Sequence, residues 1–377
     1  MSDFKINSIA TKQGQHGPVI AGVSTVNSTG CMKIPSGPTA FRTNDPLGRG
    51  RAVFGGGYGS SSPYPEMNVL DMVNITTTGD AVDFGDLTVG RSANTMGSNA
   101  TRGIFAAGRF PGPGNALTTI DYVTFSSSGG ANDFGDLINE VNTSAGFSDA
   151  TRGVFSGGYD GNTSPYPRHF DMTFVTIATT GNSSDFGDCV ERGRKDTCFS
   201  NSTRGFTCGG NNRIDSPNPN TSHDRIEMTI IQTKGSTVDF GEFGNDNAGL
   251  LTGSTNCHGG AASQTRGIIF SGISSPSGAR NIIEFLTLTT FGNSQDFGDM
   301  LTSGSSSGST ATGNNVKGVV KTTSASNGNV LEQVTIATTG NATDFGDLNT
   351  GRRLYGCLLY TSPSPRDRTR SRMPSSA

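Results

Sequence analysis

Short runs of β-branched and aromatic residues recur along the chain between polar stretches rich in Gly, Ser, Thr and Asn. Six such runs stand out: residues 70–75, 120–125, 172–177, 226–231, 283–288 and 331–336. Their apolar residues fall at both even and odd positions, as Ile120 and Val123 do. Runs of this length and composition predict β-strands, and apolar residues on both faces predict sheets that are covered on both sides.

A polar turn follows each run and ends in the same four residues, Asp-Phe-Gly-Asp, with Glu in the last place of one copy. The copies begin at Asp83, Asp133, Asp185, Asp239, Asp296 and Asp344, so successive copies lie 50, 52, 54, 57 and 48 residues apart. A second segment, Thr-Arg-Gly followed by apolar residues, recurs between them, for example at Thr101 and Thr151. A repeat of about fifty residues is typical of a propeller blade. The sequence therefore predicts an all-β propeller with six visible repeats and the start of a seventh.

The repeated turn predicts the corner of each blade. A glycine four residues before each Asp-Phe-Gly motif allows the positive φ of a tight reversal. We expect the phenylalanine to point into the core between blades, and the two acidic side chains to accept backbone N–H bonds in the turn. The corner residues are Asp83, Phe84, Asp133, Phe134, Asp185, Phe186, Asp239, Phe240, Asp296, Phe297, Asp344 and Phe345. Calcium is the alternative for these paired carboxylates, but one such turn supplies too few oxygen ligands.

Charge and cysteine content exclude several classes of protein. Lys and Arg number 28 against 31 Asp and Glu, a net charge of −3, and no basic cluster indicates a nucleic-acid partner. No run of eighteen apolar residues is present, so we expect no membrane insertion. Because the cysteines lack Cys-x-x-Cys spacing and the four histidines lack metal-ligand spacing, we expect free thiols, no metal and no cofactor.

The last residues differ abruptly from the rest of the chain. Cys357 to Asp367 reads like the translation of a common sequencing adapter, and Arg372 to Ala377 like the other end of the same adapter. We therefore interpret 357–377 as a non-native artefactual tail, 44–356 as the propeller repeats, and 1–43 as an N-terminal attachment or leader segment. On this interpretation the intact protein has seven blades, and most of the last is missing.

The repeat resembles the kelch-type propeller blade. The segment TRGVFSGGY, 151–159, matches the kelch strand that ends in a Gly-Gly pair, and Arg91 lies where a kelch arginine leads into the next strand. The Asp-Phe-Gly motif stands in the place of the kelch tryptophan turn, and the chain contains no Trp. The resemblance covers about residues 50 to 356. It implies a kelch-like propeller, without the cellular partners of kelch proteins.

The amino-acid sequence of the repeat also resembles the sequences of repeat proteins of marine bacteriophages. The segments TRG-[VI]-F, TIATTGN and DFGDL carry this resemblance, together with MKIPSGPTAFR at 32–42. It implies a tail fibre-associated or decoration protein, produced in the cytoplasm of a bacterial host and located in the virion. Its partners would be other virion proteins and a host cell-surface glycan or receptor.

Motifs that carry catalysis elsewhere have structural interpretations here. Asp-Phe-Gly binds magnesium in protein kinases, but the kinase catalytic loop is missing and the motif occurs six times. Gly-Ser-Ser-Ser-Gly at 304–308 fits a hydrolase nucleophile motif, yet it lies inside a Ser/Gly-rich linker. We find no blade-specific cluster of acid, base or metal ligands and therefore predict that the protein is not an enzyme.

Two charged positions repeat from blade to blade. The basic position holds Arg51, Arg102, Arg152, Arg204, Arg266 and Lys317, and the acidic one holds Asp71, Asp121, Glu227, Glu284 and Glu332, with Thr173 as the exception beside Asp171. We expect structural ion pairs between these positions. A charged ring for a ligand at the channel mouth is the alternative.

The loop after each Gly-Gly pair is the variable part of the repeat, and binding residues in propellers are carried on loops. Two of these loops contain Ser-Pro-Tyr-Pro, where prolines stiffen a tyrosine that offers contact area at low entropy cost. We predict binding through Tyr64, Tyr166, Arg168 and His169. The predicted function is binding of a host surface or glycan by a phage virion protein. A glycan-active enzyme on the same scaffold and a purely structural virion spacer are the alternatives.

Overall fold

A computed structural model describes residues 50–59, 65–110, 116–160, 169–190, 197–212, 221–222, 224–243, 255–256, 259–270, 273–274, 278–304, 310–321, 328–353 and 356–360. Every regular element within these ranges is a β-strand. Most of the strands form six antiparallel sheets, five with four strands and one with six, and four strands of each sheet make up one blade of a propeller. The all-β propeller expected from the repeat is thus confirmed.

Each blade runs from an inner strand through a second and a third strand to an outer strand. In that order, blade 1 contains Gly356–Tyr360, Arg51–Gly55, Val69–Asn74 and Val82–Asp86, and blade 2 contains Thr95–Ser98, Arg102–Ala106, Leu117–Thr124 and Asn132–Val141. Blade 3 contains Ala145–Ser148, Arg152–Ser156, Asp171–Thr176 and Ser184–Asp188, and blade 4 contains Thr197–Ser200, Arg204–Cys208, Arg225–Ile230 and Val238–Glu242. Blade 5 contains Gly259–Ala262, Arg266–Phe270, Gly278–Thr287 and Gln295–Gly304, and blade 6 contains Thr310–Gly313, Lys317–Lys321, Val330–Thr335 and Thr343–Asp347.

Short strands extend some of the loops. Tyr58–Gly59 pairs with Arg352–Arg353, and Asn211–Asn212 pairs with Thr221–Ser222. Thr255–Asn256 pairs with Ile273–Ser274, which in turn pairs with the beginning of the third strand of blade 5. All three pairs lie on the side of the ring where the second strand of a blade turns into the third, and we call this side the variable-loop face.

The ring closes with six blades. The inner strand of each blade contacts the inner strands of its two neighbours, and blade 6 adjoins blade 1. Gly356–Tyr360 pairs antiparallel with Arg51–Gly55 and so completes the first blade with the last described strand. The described strands therefore make six blades, and the expectation of seven blades was wrong for this ring. The segment interpreted as an artefactual tail contributes residues 357–360 to that strand.

The same backbone hydrogen bond recurs between the corners of every pair of adjacent blades. The corner glycine of one blade donates its N–H to the carbonyl oxygen of the motif phenylalanine in the preceding blade. The six bonds are Gly79 to Phe345, Gly129 to Phe84, Gly181 to Phe134, Gly235 to Phe186, Gly292 to Phe240 and Gly340 to Phe297, all between 2.8 and 3.0 Å. We call this contact the corner latch. The repeated turn is thus a repeated junction between blades, including the junction of blade 6 with blade 1.

The Asp-Phe-Gly motif is shaped to receive the corner of the next blade. In blade 1, Leu70 lies opposite Gly85 and Asp71 lies opposite Asp83, so Phe84 is an extra residue in a β-bulge. All six outer strands carry this register shift. A side chain at Gly85, whose φ is +143°, would overlap the carbonyl of Gly129 in blade 2. Glycine is required here because two backbones meet.

The carboxylates of the motif lie in a different place from the one we expected. Asp83 and Asp86 are exposed at the rim of blade 1. At four junctions the amide of the last motif residue instead donates to the residue that follows the corner glycine in the next blade. These acceptors are Asp80, Asn182, Asn293 and Asn341, with distances of 3.0 to 3.1 Å. The short side chain after the glycine therefore satisfies the amide, and the rim carboxylates face solvent.

Hydrophobic cores fill the spaces between blades. The six motif phenylalanines are all buried: Phe84, Phe134, Phe186, Phe240, Phe297 and Phe345. Phe84 of blade 1 packs in one cluster with Phe105 and Val123 of blade 2, and Phe134 packs with Val175 and Ile177 of blade 3. The strands carry apolar residues at both even and odd positions, because each sheet packs against a neighbouring blade on either face.

Candidate functional site

Two buried ion pairs tie neighbouring blades together near the variable-loop face. Arg91, in the link from blade 1 to blade 2, lies 2.6 Å from the carboxylate of Asp121 on the third strand of blade 2. Its guanidinium also donates to the carbonyl oxygens of Thr119 and Phe105. These contacts fix the guanidinium of Arg91 in one orientation. The side chains of Arg91 and Asp121 are inaccessible to solvent.

The same arrangement recurs where blade 6 leads into blade 1. Arg352 lies 3.0 Å from Asp71 and donates to the carbonyl oxygens of Val69 and Phe54. Burial raises the pKa of Asp71, while Arg352 and the amide of Asn349 act against that rise. Burial likewise lowers the pKa of Arg91, and Asp121 opposes it. Both pairs are structural, because a buried arginine needs a carboxylate to offset its lost hydration.

The arginines of the Thr-Arg-Gly segments have a different role from the one we expected. Within the part of the chain that the structure describes, the arginines with assigned side-chain contacts donate to backbone carbonyls of the next blade. Arg102 donates to the carbonyl of Ala178 at 2.8 Å, and Arg204 to that of Leu288 at 2.7 Å, each at the end of the third strand in the next blade. Arg102 also lies over the ring of Tyr122, 4.7 Å from its centroid. These arginines are links between blades on the side opposite the variable loops.

The junction of blades 2 and 3 lacks the residues of this ion pair. Arg91 lies eleven residues before Arg102, and Val141 lies at the same distance before Arg152. The acidic residue is also replaced, because Thr173 takes the position of Asp121. Instead of a guanidinium, a small pocket of about 10 Å³ lies between the two blades. Its lining comprises Leu137, Asn139, Val141, Phe155, Gly157, His169, Asp171 and Thr173.

Three polar side chains converge on this pocket, which we call the blade 3 pocket. Nδ1 of His169 lies 3.4 Å from Oδ2 of Asp171, and the amide of Asn139 donates to the same oxygen at 3.2 Å. His169 is 21% exposed and Asp171 39%, so the pocket opens towards solvent. Nε2 of His169 is buried and has no hydrogen-bond partner among the described residues. The pocket therefore holds one polar atom that a ligand group could satisfy.

The structure brings together residues that sequence reasoning treated separately. His169 was predicted to bind, and it lies in the blade 3 pocket. The predicted residues Tyr64, Tyr166 and Arg168 lie outside the described residues. Asn139 and Asp171 were missed as site residues, although Thr173 had been noted as the exception in the acidic series. Aligning Val141 with Arg91 would have shown that both partners of the ion pair change together in this blade.

Other candidate groups offer no second site in the described part of the chain. Cys189, Cys198, Cys208 and Cys357 form no disulfide within the described part of the chain. Burial raises the pKa of Cys198 to about 12, although its hydrogen bond to Gly146 acts in the opposite direction, so this thiol is protonated near neutral pH and is a poor nucleophile. Among the described residues, no group of three His, Cys, Asp or Glu side chains is arranged to hold a metal ion. Nor does any helix long and apolar enough to cross a membrane occur there.

Comparison with known proteins adds no further constraint. No protein-family model matches the chain, and a search of curated proteins found no match.

Proposed function

We propose that this chain is a non-enzymatic propeller of a phage virion that binds a host surface glycan through its variable-loop face. The observation that carries the proposal is the contrast between a repeated frame and a polar pocket at a junction without the buried ion pair. The corner latches repeat at all six junctions, whereas the blade 3 pocket occurs where a buried ion pair has been replaced. A site that breaks the repeat on a loop-bearing face is typical of ligand binding on a rigid scaffold.

The virion assignment rests on the resemblance of the repeat to marine phage proteins. A rigid, closed ring of six blades suits a component that presents loops on the outside of a particle. The mildly acidic chain, with a net charge of −3, gives no reason to expect a nucleic-acid partner. Other virion proteins would hold the ring, with residues 1–43 as the proposed attachment segment.

A glycan-active enzyme remains the second candidate because the blade 3 pocket contains a histidine beside a carboxylate. Asp171 orients His169 in the way that a carboxylate orients a catalytic base. Binding is preferred because the pocket accepts only a water-sized group, which leaves no room for a scissile bond between the two side chains.

The test is a binding assay of the full chain on a glycan array and on candidate host cells. We expect saturable binding, weakened at least tenfold in the double variant Tyr64→Ala/Tyr166→Ala, because these residues lie in the two stiffened loops. A variant with Ala in place of the exposed Val82 on the outer rim is the matched control and should bind normally.

Bound glycans should be recovered intact by mass spectrometry. New reducing ends or unsaturated products would replace the binding proposal with the enzyme. A correctly folded ring that binds neither array nor cells would overturn the proposal and favour a structural spacer.

A further inference from the structure

The blade 3 pocket lies in the space that a guanidinium occupies at the neighbouring junction. Arg91 contacts Thr119, Phe105 and Asp121. The equivalent residues in blade 3 are Asp171, Phe155 and Thr173, and all three line the pocket. Val141 is shorter than arginine and fills only part of that space. The pocket is therefore built into the ring by a paired replacement, and His169, just before the third strand of blade 3, completes its lining.

We propose that the blade 3 pocket is an anchor subsite for one hydroxyl group of a carbohydrate. This inference rests on the proposed glycan-binding function and specifies where the ligand is held. The ligand group must be about the size of a water molecule, because the volume of about 10 Å³ holds no more than one. A hydroxyl that replaces a water in such a site keeps the hydrogen bonds of that water.

The polar lining supplies both a donor and an acceptor. With Nδ1 of His169 directed at Asp171, the neutral imidazole carries its proton on Nδ1 and leaves Nε2 as an acceptor. The amide of Asn139 uses one N–H for Asp171 and has a second to donate. A hydroxyl can donate to Nε2 and accept from Asn139 at the same time.

The rest of the lining favours a sugar over a cationic group. Leu137, Val141 and Phe155 form an apolar wall that suits the C–H groups next to a sugar hydroxyl. An ammonium group would be attracted by Asp171, but it only donates hydrogen bonds and would oppose the N–H of Asn139. Asp171 also disfavours an anionic group such as a sulfate or a carboxylate. The class of ligand is thus a neutral carbohydrate.

The direct test follows the imidazole of His169 by NMR in the full chain labelled with ¹⁵N-histidine. The His169 signal is identified by its loss in His169→Gln, and the probes are methyl α-glucopyranoside, methyl α-galactopyranoside, methyl α-mannopyranoside, glycerol and methylammonium. We expect a saturable shift of the Nε2 resonance with at least one sugar. The other histidines in the chain are internal controls and should not shift.

The filled variant Val141→Arg/Thr173→Asp is the sharpest comparison, because it rebuilds the ion pair that blade 2 already contains. It should keep the unfolding temperature of the parent and lose the sugar response. Asp171→Asn is the second variant, chosen because Asp171 is partly exposed and its replacement leaves the core intact. It should weaken the apparent affinity about tenfold by releasing the imidazole from its orientation.

The outcomes separate this inference from the proposed function. If the chain binds array glycans but His169 does not respond to those sugars, the subsite is wrong and glycan binding by another part of the face stands. A response to methylammonium without a response to any sugar or glycerol would overturn the hydroxyl assignment. If a sugar shifts His169 equally in the parent and the filled variant, the ligand does not occupy this pocket.

Discussion

At the scale of single residues, equivalent positions at two neighbouring junctions between blades hold different side chains. Arg91 and Asp121 form a buried ion pair at one junction, and Val141 with Thr173 takes their place at the next. Replacing one member of a buried ion pair leaves the other charge buried without compensation, whereas replacing both leaves no buried charge. We therefore expect Asp121→Thr to lower the free energy of unfolding by about 3–5 kcal/mol.

The double variant Arg91→Val/Asp121→Thr should lose less free energy of unfolding than the sum of the two single variants, with a coupling energy of about 2 kcal/mol in a double-mutant cycle. Denaturant unfolding of the parent, the two single variants and the double variant measures it. Additive effects of the two substitutions would mean that the ion pair does not govern this junction.

The sequence could predict the members of this site but not their pairing. Both charged series were visible from the repeat, and the natural assumption joined the Thr-Arg-Gly arginines to the acids of the third strand. The structure instead aims those arginines at backbone carbonyls, and it pairs Asp121 with Arg91 and Asp71 with Arg352. Which arginine reaches which carboxylate depends on the stacking of blades, and a repeat pattern carries no information about the distance between neighbours.

At the scale of elements, the corner latch explains why two glycines of each repeat are retained. Gly79 and Gly85 both have positive φ, +151° and +143°, so a side chain at either position strains the backbone. They differ in their surroundings, because a Cβ at Gly79 meets nothing within 4 Å and a Cβ at Gly85 overlaps the backbone of blade 2. Substitutions at these two glycines therefore separate the cost of backbone strain from the cost of a clash between blades.

We expect Gly79→Ala to cost about 1–3 kcal/mol from strain alone. Gly85→Ala should cost at least about 1.5 kcal/mol more, because overpacking against a rigid backbone adds to the strain. Urea unfolding of the two variants gives the difference. Equal losses would show that blades 1 and 2 can separate locally at no cost and that the latch is weak.

Strands and corners were predictable because they follow from local composition. The six strand runs, the turn glycines and the burial of Phe84 all depend on short stretches of sequence. The acceptors for the amide of the last motif residue were not predictable, since the expected Asp carboxylates are exposed and the side chain after the corner glycine takes their role. Which side chain accepts this hydrogen bond depends on the neighbouring blade, which the corner residues contact only after the ring forms.

At the scale of the whole molecule, the number of blades is decided by closure. Six corners permit either a complete ring of six or an incomplete ring of seven, and the sequence near the last corner favoured seven. In the structure the latch from Gly79 to Phe345 joins blade 6 to blade 1 with the same geometry as at the other junctions. The strand Gly356–Tyr360 then covers the edge of Arg51–Gly55, which would otherwise remain open to pairing with another chain.

This closure predicts a sharp boundary for truncation. Removing residues 361–377 should leave the unfolding temperature unchanged, because the described strand ends at Tyr360. Removing residues 357–377 deletes the inner strand of blade 1 and about five ladder hydrogen bonds, each worth about 1 kcal/mol. For a chain of this size, that loss lowers the unfolding temperature by about 6 °C. The open edge should also cause concentration-dependent association.

Differential scanning calorimetry and light scattering of the two truncated chains measure both effects. Equal unfolding temperatures would show that residues 357–360 do not close the ring, as expected if this stretch is foreign to the protein. A lower temperature and association in the shorter chain alone would establish that the first and last parts of the sequence form one blade, so that the stability of the entire ring depends on a strand at its end.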